Sequence, residues 1–264
     1  MKIPKIIFIY WHDDTFPKLI DYNFKKIKLL HHDYKVNILN NKNYSEFLDI
    51  EIYKFNFKDK LLSTPMYFSD ILRILLLEKY GGIWIDASLI FWKRVDNIVT
   101  NMDEFVIVRN YNNDNYPIKG YESWFIAVIP NHPFINKVKS EIVKLNTYNK
   151  IEQFLKKNID LKKTQKNVRR EYHLIYHIFS FVQINFSESI LNCTELDSDL
   201  FYPNNYIHNF FDFPFTNANT AVINHYDLFN FLAAKKIENY IKNGEPKKQI
   251  ASKLTYEIRK HIKI

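Results

Sequence analysis

The chain has 264 residues, of which 47% are apolar and 17% aromatic, enough for one globular domain with a buried core. Its formal net charge of +8 allows attraction to phosphate-bearing partners. The lysines are spread along the chain without a nucleic-acid-binding module, so we expect no nucleic-acid partner. Only four glycines occur, and neither G-x-G-x-x-G nor G-x-x-x-x-G-K-[ST] is found, which disfavours a Rossmann dehydrogenase and a P-loop ATPase.

Cysteine content and hydropathy bear on the compartment. The single Cys193 rules out an internal disulfide and a cysteine-based zinc cluster, and it suits a reducing environment. The apolar run at residues 6–11 is too short for a signal sequence, and charged residues interrupt the longest apolar stretch, so no segment reaches the ~18 apolar residues needed to span a bilayer. We therefore expect a cytoplasmic protein, either free or peripheral at the cytoplasmic face of the membrane.

The first elements form a β-α-β pattern. Residues 5–10 are a β-branched and aromatic run, residues 17–30 have helical spacing, and residues 34–39 have the character of a second strand. Such an opening is typical of a sheet with parallel strands and covering helices, which predicts an α/β fold.

A helix is predicted from Pro65 to about Tyr80. Thr64 stands at the N-cap position, and proline suits the first helical position because its missing N–H would be unpaired there anyway. Asp70 and Arg73, three residues apart, share a helix face that differs from the apolar stripe.

A glycine pair at residues 81–82 ends this helix, as a left-handed glycine commonly does. Residues 83–86 then have strand character, which places Asp86 at or near the end of a buried strand. Further strands are predicted at 105–109 and 123–129, and further helices at 133–145 and 169–182. Beyond residue 185 the pattern weakens, although residues 247–264 could form a basic amphipathic helix.

Asp70, Arg73 and Asp86 could converge on one pocket, because the glycine turn returns the chain alongside the helix. Such a pocket suits a sugar nucleotide. A carboxylate holds sugar hydroxyls, an arginine neutralises phosphate, and an aspartate at a strand end binds Mn²⁺ or Mg²⁺ bridging the diphosphate.

Three segments, at residues 4–11, 69–73 and 80–88, together resemble the capsular polysaccharide synthesis glycosyltransferases. These are relatives of the retaining glycosyltransferases that have a sugar-binding region and a DXD motif. The similarity continues at residues 124–127, 172–179 and 253–256. The resemblance implies a single GT-A-like α/β domain, with a central, mostly parallel sheet flanked by helices and with additional C-terminal helices. It also implies a nucleoside-diphosphate sugar donor, a divalent metal and retention of anomeric configuration.

The resemblance also assigns roles to residues. It makes Asp70, Arg73 and Asp86 catalytic. The donor site would be formed by Trp11, Ser69, Asp70, Arg73, Trp84 and Lys253. Trp124, His173 and His177 are candidates for the acceptor side from their residue types, and Trp124 could instead line the donor site or be a buried strand residue. Asp86 and Ser88 would hold the metal, with Ser88 in the place of the second aspartate of the DXD motif. A hydroxyl is a poorer metal ligand than a carboxylate. Residues 1–130 would form the nucleotide-sugar-binding core, and residues 131–264 the helical, acceptor-side portion of one domain.

Each assignment has a plainer alternative. Asp70 and Arg73 could be a structural ion pair on a helix surface, and tryptophans are core residues by default. His173 and His177 are four apart on one helix, but the glutamate of H-E-x-x-H is missing and no third ligand is evident, so cleft histidines fit better than a metal site.

The leading hypothesis is transfer of a sugar from a UDP-type donor to a bacterial capsule, lipooligosaccharide or related glycan, with a lipid-linked saccharide as one possible acceptor. A nucleotide-sugar hydrolase and a carbohydrate- or nucleotide-binding protein without transfer activity are the alternatives. No carboxylate of the motifs is an evident nucleophile, which favours same-face substitution in which the leaving phosphate helps to deprotonate the acceptor.

Overall fold

The computed structural model describes residues 1–16, 18–50, 64–87, 89–90, 94–110, 120–145, 153, 157, 174–190, 192–197 and 221–222. Its strands are β1 (Ile6–Tyr10), β2 (Lys35–Leu39), β3 (Gly82–Ile85), β4 (Leu89–Ile90), β5 (Phe105–Asn110), β6 (Gly120–Val128), β7 (Cys193–Asp197) and β8 (Ala221–Val222). Its α-helices are α1 (Lys18–Leu30), α2 (Pro65–Tyr80), α3 (Pro133–Lys144) and α4 (Leu174–Asn185).

Six strands form one sheet in the order β2-β1-β3-β6-β5-β7. β1 pairs in parallel with both β2 and β3, and β5 pairs in parallel with β7. β6 lies antiparallel between β3 and β5, so five of these six strands run in the same direction. The predicted α/β class, with a central, mostly parallel sheet flanked by helices, is confirmed.

Helices cover both faces of the sheet because successive strand residues point to opposite sides. In β3, Trp84 faces the core formed with α2, α3 and α4, whereas Ile83 and Ile85 face the core that contains α1 residues such as Phe24 and Ile27. All these β3 side chains are buried, as expected for a central strand with a helix layer on each side. The strand that leads to Asp86 is therefore fixed from both faces.

The predicted elements agree with the observed ones to within a few residues, with two corrections. Thr64 does occupy the N-cap of α2, but its side chain makes no capping hydrogen bond. β7 was missed because its sequence, Cys-Thr-Glu-Leu-Asp, lacks a long apolar run. Its pairing with β5 supplies the order that local propensity does not.

The connection between α2 and β3 requires glycine at two positions. Gly81 has φ +62°, and an added Cβ would lie 2.6 Å from the Pro130 nitrogen. Gly82 has φ +93°, and an added Cβ would lie 2.6 Å from the Ile6 carbonyl oxygen. Only glycine combines these backbone angles with such close approach. The pair therefore joins the helix to the strand without a longer loop.

The predicted basic helix at residues 247–264 and most of the acceptor-side portion lie outside the described residues. The division at residue 130 stays a prediction. Among the helices that the structure describes, none has the length and apolar character to cross a membrane.

Candidate functional site

The candidate site lies at the sheet edge where the parallel strands β1 and β3 end. Trp11 directly follows β1 and Asp86 directly follows β3, and these two strands pair in parallel. Ligands of open α/β sheets bind outside the carboxyl ends of the strands. The two predicted residues Trp11 and Asp86, 75 positions apart in sequence, therefore lie at the same edge of the sheet.

Arg73 is the centre of the charged cluster. Its Nη1 lies 2.9 Å from Asp70 Oδ1, and its Nη2 donates a hydrogen bond of 2.8 Å to Asp86 Oδ1. Only 3% of the Arg73 side chain is exposed, against 12% for Asp70 and 31% for Asp86. The guanidinium thus lies beneath two carboxylates, and Asp86 is the member of the cluster most open to a ligand.

Trp84 holds this arrangement from below. Its ring lies under the Arg73 guanidinium at 5.0 Å from centroid to Cζ, and its indole Nε1 donates a 2.7 Å hydrogen bond to Asp86 Oδ1. Trp84 itself is fully buried. It therefore orients Asp86 and Arg73, and any effect of Trp84 on a donor passes through them.

The electrostatics of the cluster are set by burial. Burial raises the pKa of Asp70 to about 7, Arg73 opposes this rise, and the neighbouring Asp86 carboxylate adds to it. With one arginine between two aspartates, the cluster carries a net charge of −1 when both carboxylates are ionised. Protonation of Asp70 near neutral pH makes the net charge of the cluster zero.

Asp86 Oδ2 and Arg73 Nε have no hydrogen-bond partner among the described residues. Asp86 Oδ1 accepts from both Arg73 and Trp84, whereas Oδ2 of the same carboxylate accepts no hydrogen bond within the described part of the chain. Arg73 Nε is buried and likewise has no partner there. Unpaired polar atoms of this kind are uncommon in folded proteins and fit a site that binds a polar ligand.

The fit of a divalent cation depends on Asp86. Mg²⁺ is commonly bound by one or two carboxylates, with substrate phosphates and water completing its shell. Asp86 Oδ2, which has no hydrogen-bond partner among the described residues, fits such an ion. No group of three potential histidine, cysteine, aspartate or glutamate ligands occurs among the residues described, so a complete protein cage is not present in that part of the chain.

The turn after Asp86 is held by a residue that the sequence analysis did not single out. The Leu89 amide donates to the Asp86 carbonyl at 2.9 Å, which closes a four-residue turn. From α1, Asn23 Nδ2 donates to the carbonyls of Ala87 at 2.9 Å and Leu89 at 2.8 Å. The sequence did contain a sign of this role, because Asn23 is a polar residue among the apolar positions that form the buried face of α1.

A second missed group lies on β6 and α4. Tyr176 Oη donates a 2.9 Å hydrogen bond to Glu122 Oε2. Burial raises the pKa of Tyr176, Glu122 adds to the rise, and the positive charge of Arg73 acts against it. Tyr176 is therefore within the electrostatic reach of the charged cluster.

The other predicted donor and acceptor residues have varied surroundings. Trp11 is partly buried, its ring lies 5.4 Å from that of His12, and its buried Nε1 has no hydrogen-bond partner in the described ranges. Trp124 is 7% exposed, and its carbonyl accepts from the Asp86 amide at 2.9 Å. Ser69 is partly buried on α2, and His177 is buried on α4. Ser88, His173 and Lys253 lie outside the described residues.

The chain matches a protein family over most of its length. The model of a family described as "Capsular polysaccharide synthesis protein" matches residues 1–177, which include all of the charged cluster. No curated protein matches the chain.

Solved structures similar to this chain include glycosyltransferases. The PaToxG glycosyltransferase is 18% identical with a TM-score of 0.42, over 72% of each chain. The apo form of the glycosyltransferase GlyE of Streptococcus pneumoniae TIGR4 is 14% identical with a TM-score of 0.43, over 84% of this chain and 55% of the pneumococcal one. The catalytic domain of alpha-toxin from Clostridium novyi is 12% identical with a TM-score of 0.39, over 91% of this chain and 83% of the toxin chain.

Proposed function

Since the chain belongs to the capsular polysaccharide synthesis family, we propose that it is a glycosyltransferase that moves a sugar from a UDP-type nucleoside-diphosphate donor to a bacterial surface glycan. The proposed acceptor is a capsule, lipooligosaccharide or lipid-linked saccharide, and the proposed site of action is the cytoplasm or the cytoplasmic face of the inner membrane. The observation that carries the donor assignment is the Asp70–Arg73–Asp86 cluster at the ends of parallel strands.

Arg73 is the group of the cluster that suits the negative charge of the donor. Glycosyl transfer leaves a nucleoside diphosphate, so the main electrostatic task is to stabilise negative charge on the departing phosphate. Arg73 supplies a permanent positive charge, and it is pre-oriented by Asp86 and by the Trp84 ring. Preorganised charge of this kind avoids reorganisation during the reaction.

Asp86 is the proposed protein ligand of Mn²⁺ or Mg²⁺, through its free Oδ2, and Ser88 is a proposed additional ligand. When bound, such an ion would neutralise charge on the diphosphate. Asp70 and Ser69 are proposed to hold hydroxyls of the donor, and Lys253 to reach the diphosphate. Burial raises the pKa of Asp70 to about 7, so near neutral pH its protonated form can donate a hydrogen bond as well as accept one.

Trp11 is proposed to lie against the nucleotide base. Its partly buried ring lies just beyond the end of β1 and offers an apolar face on which a planar base can stack. On the acceptor side, Trp124, His173 and His177 stay proposals. We further propose that the reaction retains anomeric configuration by same-face substitution, and a trapped covalent glycosyl-enzyme would contradict this mechanism.

The test begins with thermal-shift and calorimetric titrations of nucleoside diphosphates and nucleotide sugars with Mn²⁺ or Mg²⁺, because a specific ligand raises apparent stability. Release of the nucleoside diphosphate is then measured with and without saccharide acceptors. Turnover that requires an acceptor supports transfer, turnover without any acceptor indicates a hydrolase, and metal-dependent binding without turnover indicates a binding protein.

Asp86→Asn is the matched substitution for this test, since it preserves shape and removes the charge. We expect turnover to fall at least ~100-fold while the unfolding midpoint stays within a few degrees. Asp21→Asn is the control, because Asp21 forms an exposed pair with Lys25 on α1. Equal activity in the two variants would contradict the proposed role of Asp86.

A further inference from the structure

The turn that follows Asp86 is attached to helix α1 by one side chain. Asn23 gives both hydrogens of its amide to this turn, one to the Ala87 carbonyl and one to the Leu89 carbonyl. Asn23 is 64 residues from Ala87 in sequence and 1% exposed. These two acceptors flank residue 88, so the backbone on each side of that position is tied to α1.

The chemistry of this attachment is specific to an amide. A short side chain needs two hydrogen-bond donors to reach two carbonyls that are two residues apart. An ionised aspartate side chain has no donor, and a serine side chain has one. The orientation of the Asn23 amide is also determined, because the reverse orientation would place its oxygen against both carbonyl oxygens. Among side chains of this size, only asparagine can make both bonds.

Packing alone does not explain Asn23. Its neighbours in the buried stripe, Ile20, Phe24 and Ile27, are all apolar. The amide instead leaves its own Oδ1 buried without a partner in the part of the chain that the structure describes. A buried unpaired acceptor is unfavourable, so this polar residue weakens the local packing and strengthens the attachment of the turn.

Asp86 is consequently fixed from both faces of the sheet. On the α2 face, Arg73 and Trp84 hold its Oδ1. On the α1 face, Asn23 holds the turn whose first residue is Asp86, and the Leu89 amide returns a hydrogen bond to the Asp86 carbonyl. Loss of the α1 attachment would leave the carboxylate held on one side only, with its free Oδ2 poorly placed for a ligand.

We propose that Asn23 is a positioning residue for donor binding, which acts by fixing the Asp86–Leu89 turn so that Asp86 presents its free carboxylate oxygen to the metal-diphosphate group of the donor. This inference rests on the proposed function, because it assigns to Asn23 a role in the same donor site. Asn23 itself touches only protein.

The test uses the full chain with UDP and Mn²⁺ as probes. Asn23→Leu keeps the branched arrangement of four side-chain heavy atoms and removes both donors. Asn23→Ser, a smaller side chain with one donor, is the second variant in case the first folds poorly. Ile20→Ala is the matched control, because Ile20 is buried on the same helix and the substitution loosens the core without touching the turn. Far-UV circular dichroism and urea unfolding establish that each variant is folded.

The first readout is the Mn²⁺ concentration at half-maximal UDP binding, measured by calorimetry. Residues that orient a metal ligand typically change metal affinity 10–100-fold. We expect an increase of at least about tenfold in Asn23→Leu, a smaller increase in Asn23→Ser, and a change below about twofold in Ile20→Ala.

The second readout needs no ligand. Amide hydrogen exchange of the apo protein should be at least about tenfold faster at Leu89 in Asn23→Leu than in Ile20→Ala, because only the first substitution frees the turn. If the wild type binds UDP and Asn23→Leu binds equally well with an unchanged Mn²⁺ midpoint, this inference fails and the proposed function stands. If the wild type binds no nucleoside diphosphate with either metal, the proposed function fails and this inference fails with it.

Discussion

The buried carboxyl group of Asp70 leads to a prediction about pH and stability. Burial raises its pKa to about 7, from the ordinary aspartate value of 3.8 that applies in the unfolded chain. Between these values the folded state keeps a proton that the unfolded state has released, so raising the pH destabilises the fold through this group. Asp70→Asn keeps the shape of the neutral acid and cannot ionise. Relative to wild type, the variant should therefore gain stability on going from pH 5 to pH 8.

The size of this gain follows from the two pKa values. One pKa unit corresponds to 1.36 kcal/mol, and part of the titration is already complete at pH 5, so the expected gain between pH 5 and pH 8 is about 3 kcal/mol. Urea unfolding of both proteins at the two pH values measures it directly. Asp21→Asn, on the exposed face of α1, should change stability by less than ~0.5 kcal/mol at either pH. If Asp70→Asn is destabilised relative to wild type, and by more at pH 8 than at pH 5, the reasoning is refuted. That result would mean that Arg73 stabilises an ionised Asp70 in the folded protein.

Three further substitutions test the cluster and its support. Trp84→Phe keeps a ring under Arg73 but removes the N–H donated to Asp86, a charge-assisted hydrogen bond worth about 1.5–3 kcal/mol. We therefore expect UDP affinity, measured by calorimetry, to fall about tenfold. Unchanged affinity would contradict the role of this hydrogen bond. Arg73→Lys keeps the charge but cannot bridge two carboxylates, and we expect UDP affinity to fall at least ~10-fold in a folded protein; full affinity would show that charge alone suffices. Gly82→Ala places a Cβ 2.6 Å from the Ile6 carbonyl at φ +93°, and we expect a loss of about 2 kcal/mol or more in urea unfolding, whereas an unshifted midpoint would refute the steric argument.

The regions with clear hydrophobic periodicity were predictable from the sequence. The α2–β3 segment has an apolar stripe at helical spacing, a proline at the start and two glycines at the end, and all three signals agree with the observed bounds. The convergence of Asp70, Arg73 and Asp86 followed from this segment alone, because a short glycine connection must return the strand alongside the helix.

Contacts between distant segments were not predictable in the same way. Asn23 contacts Ala87 and Leu89, and nothing in the local sequence of α1 states which part of the chain it will meet. β7 gains its order from pairing with β5, 88 positions earlier, and its own propensity is weak. The burial that raises the pKa of Asp70 also depends on tertiary packing. Sequence spacing places Asp70 near Arg73 on one helix, but it does not distinguish a buried pair in a functional site from an ion pair on the helix surface.

The direct junction between α2 and β3 bears on how the protein folds. Arg73 lies three residues from Asp70 and 13 from Asp86, so the contacts that join these charges close only short loops. Short closures cost little chain entropy and favour rapid formation. The attachment by Asn23 closes a loop of 64 residues and must overcome a larger entropic cost. The charged groups are therefore expected to assemble early during folding, and the turn beside them to become rigid only when the first helix docks.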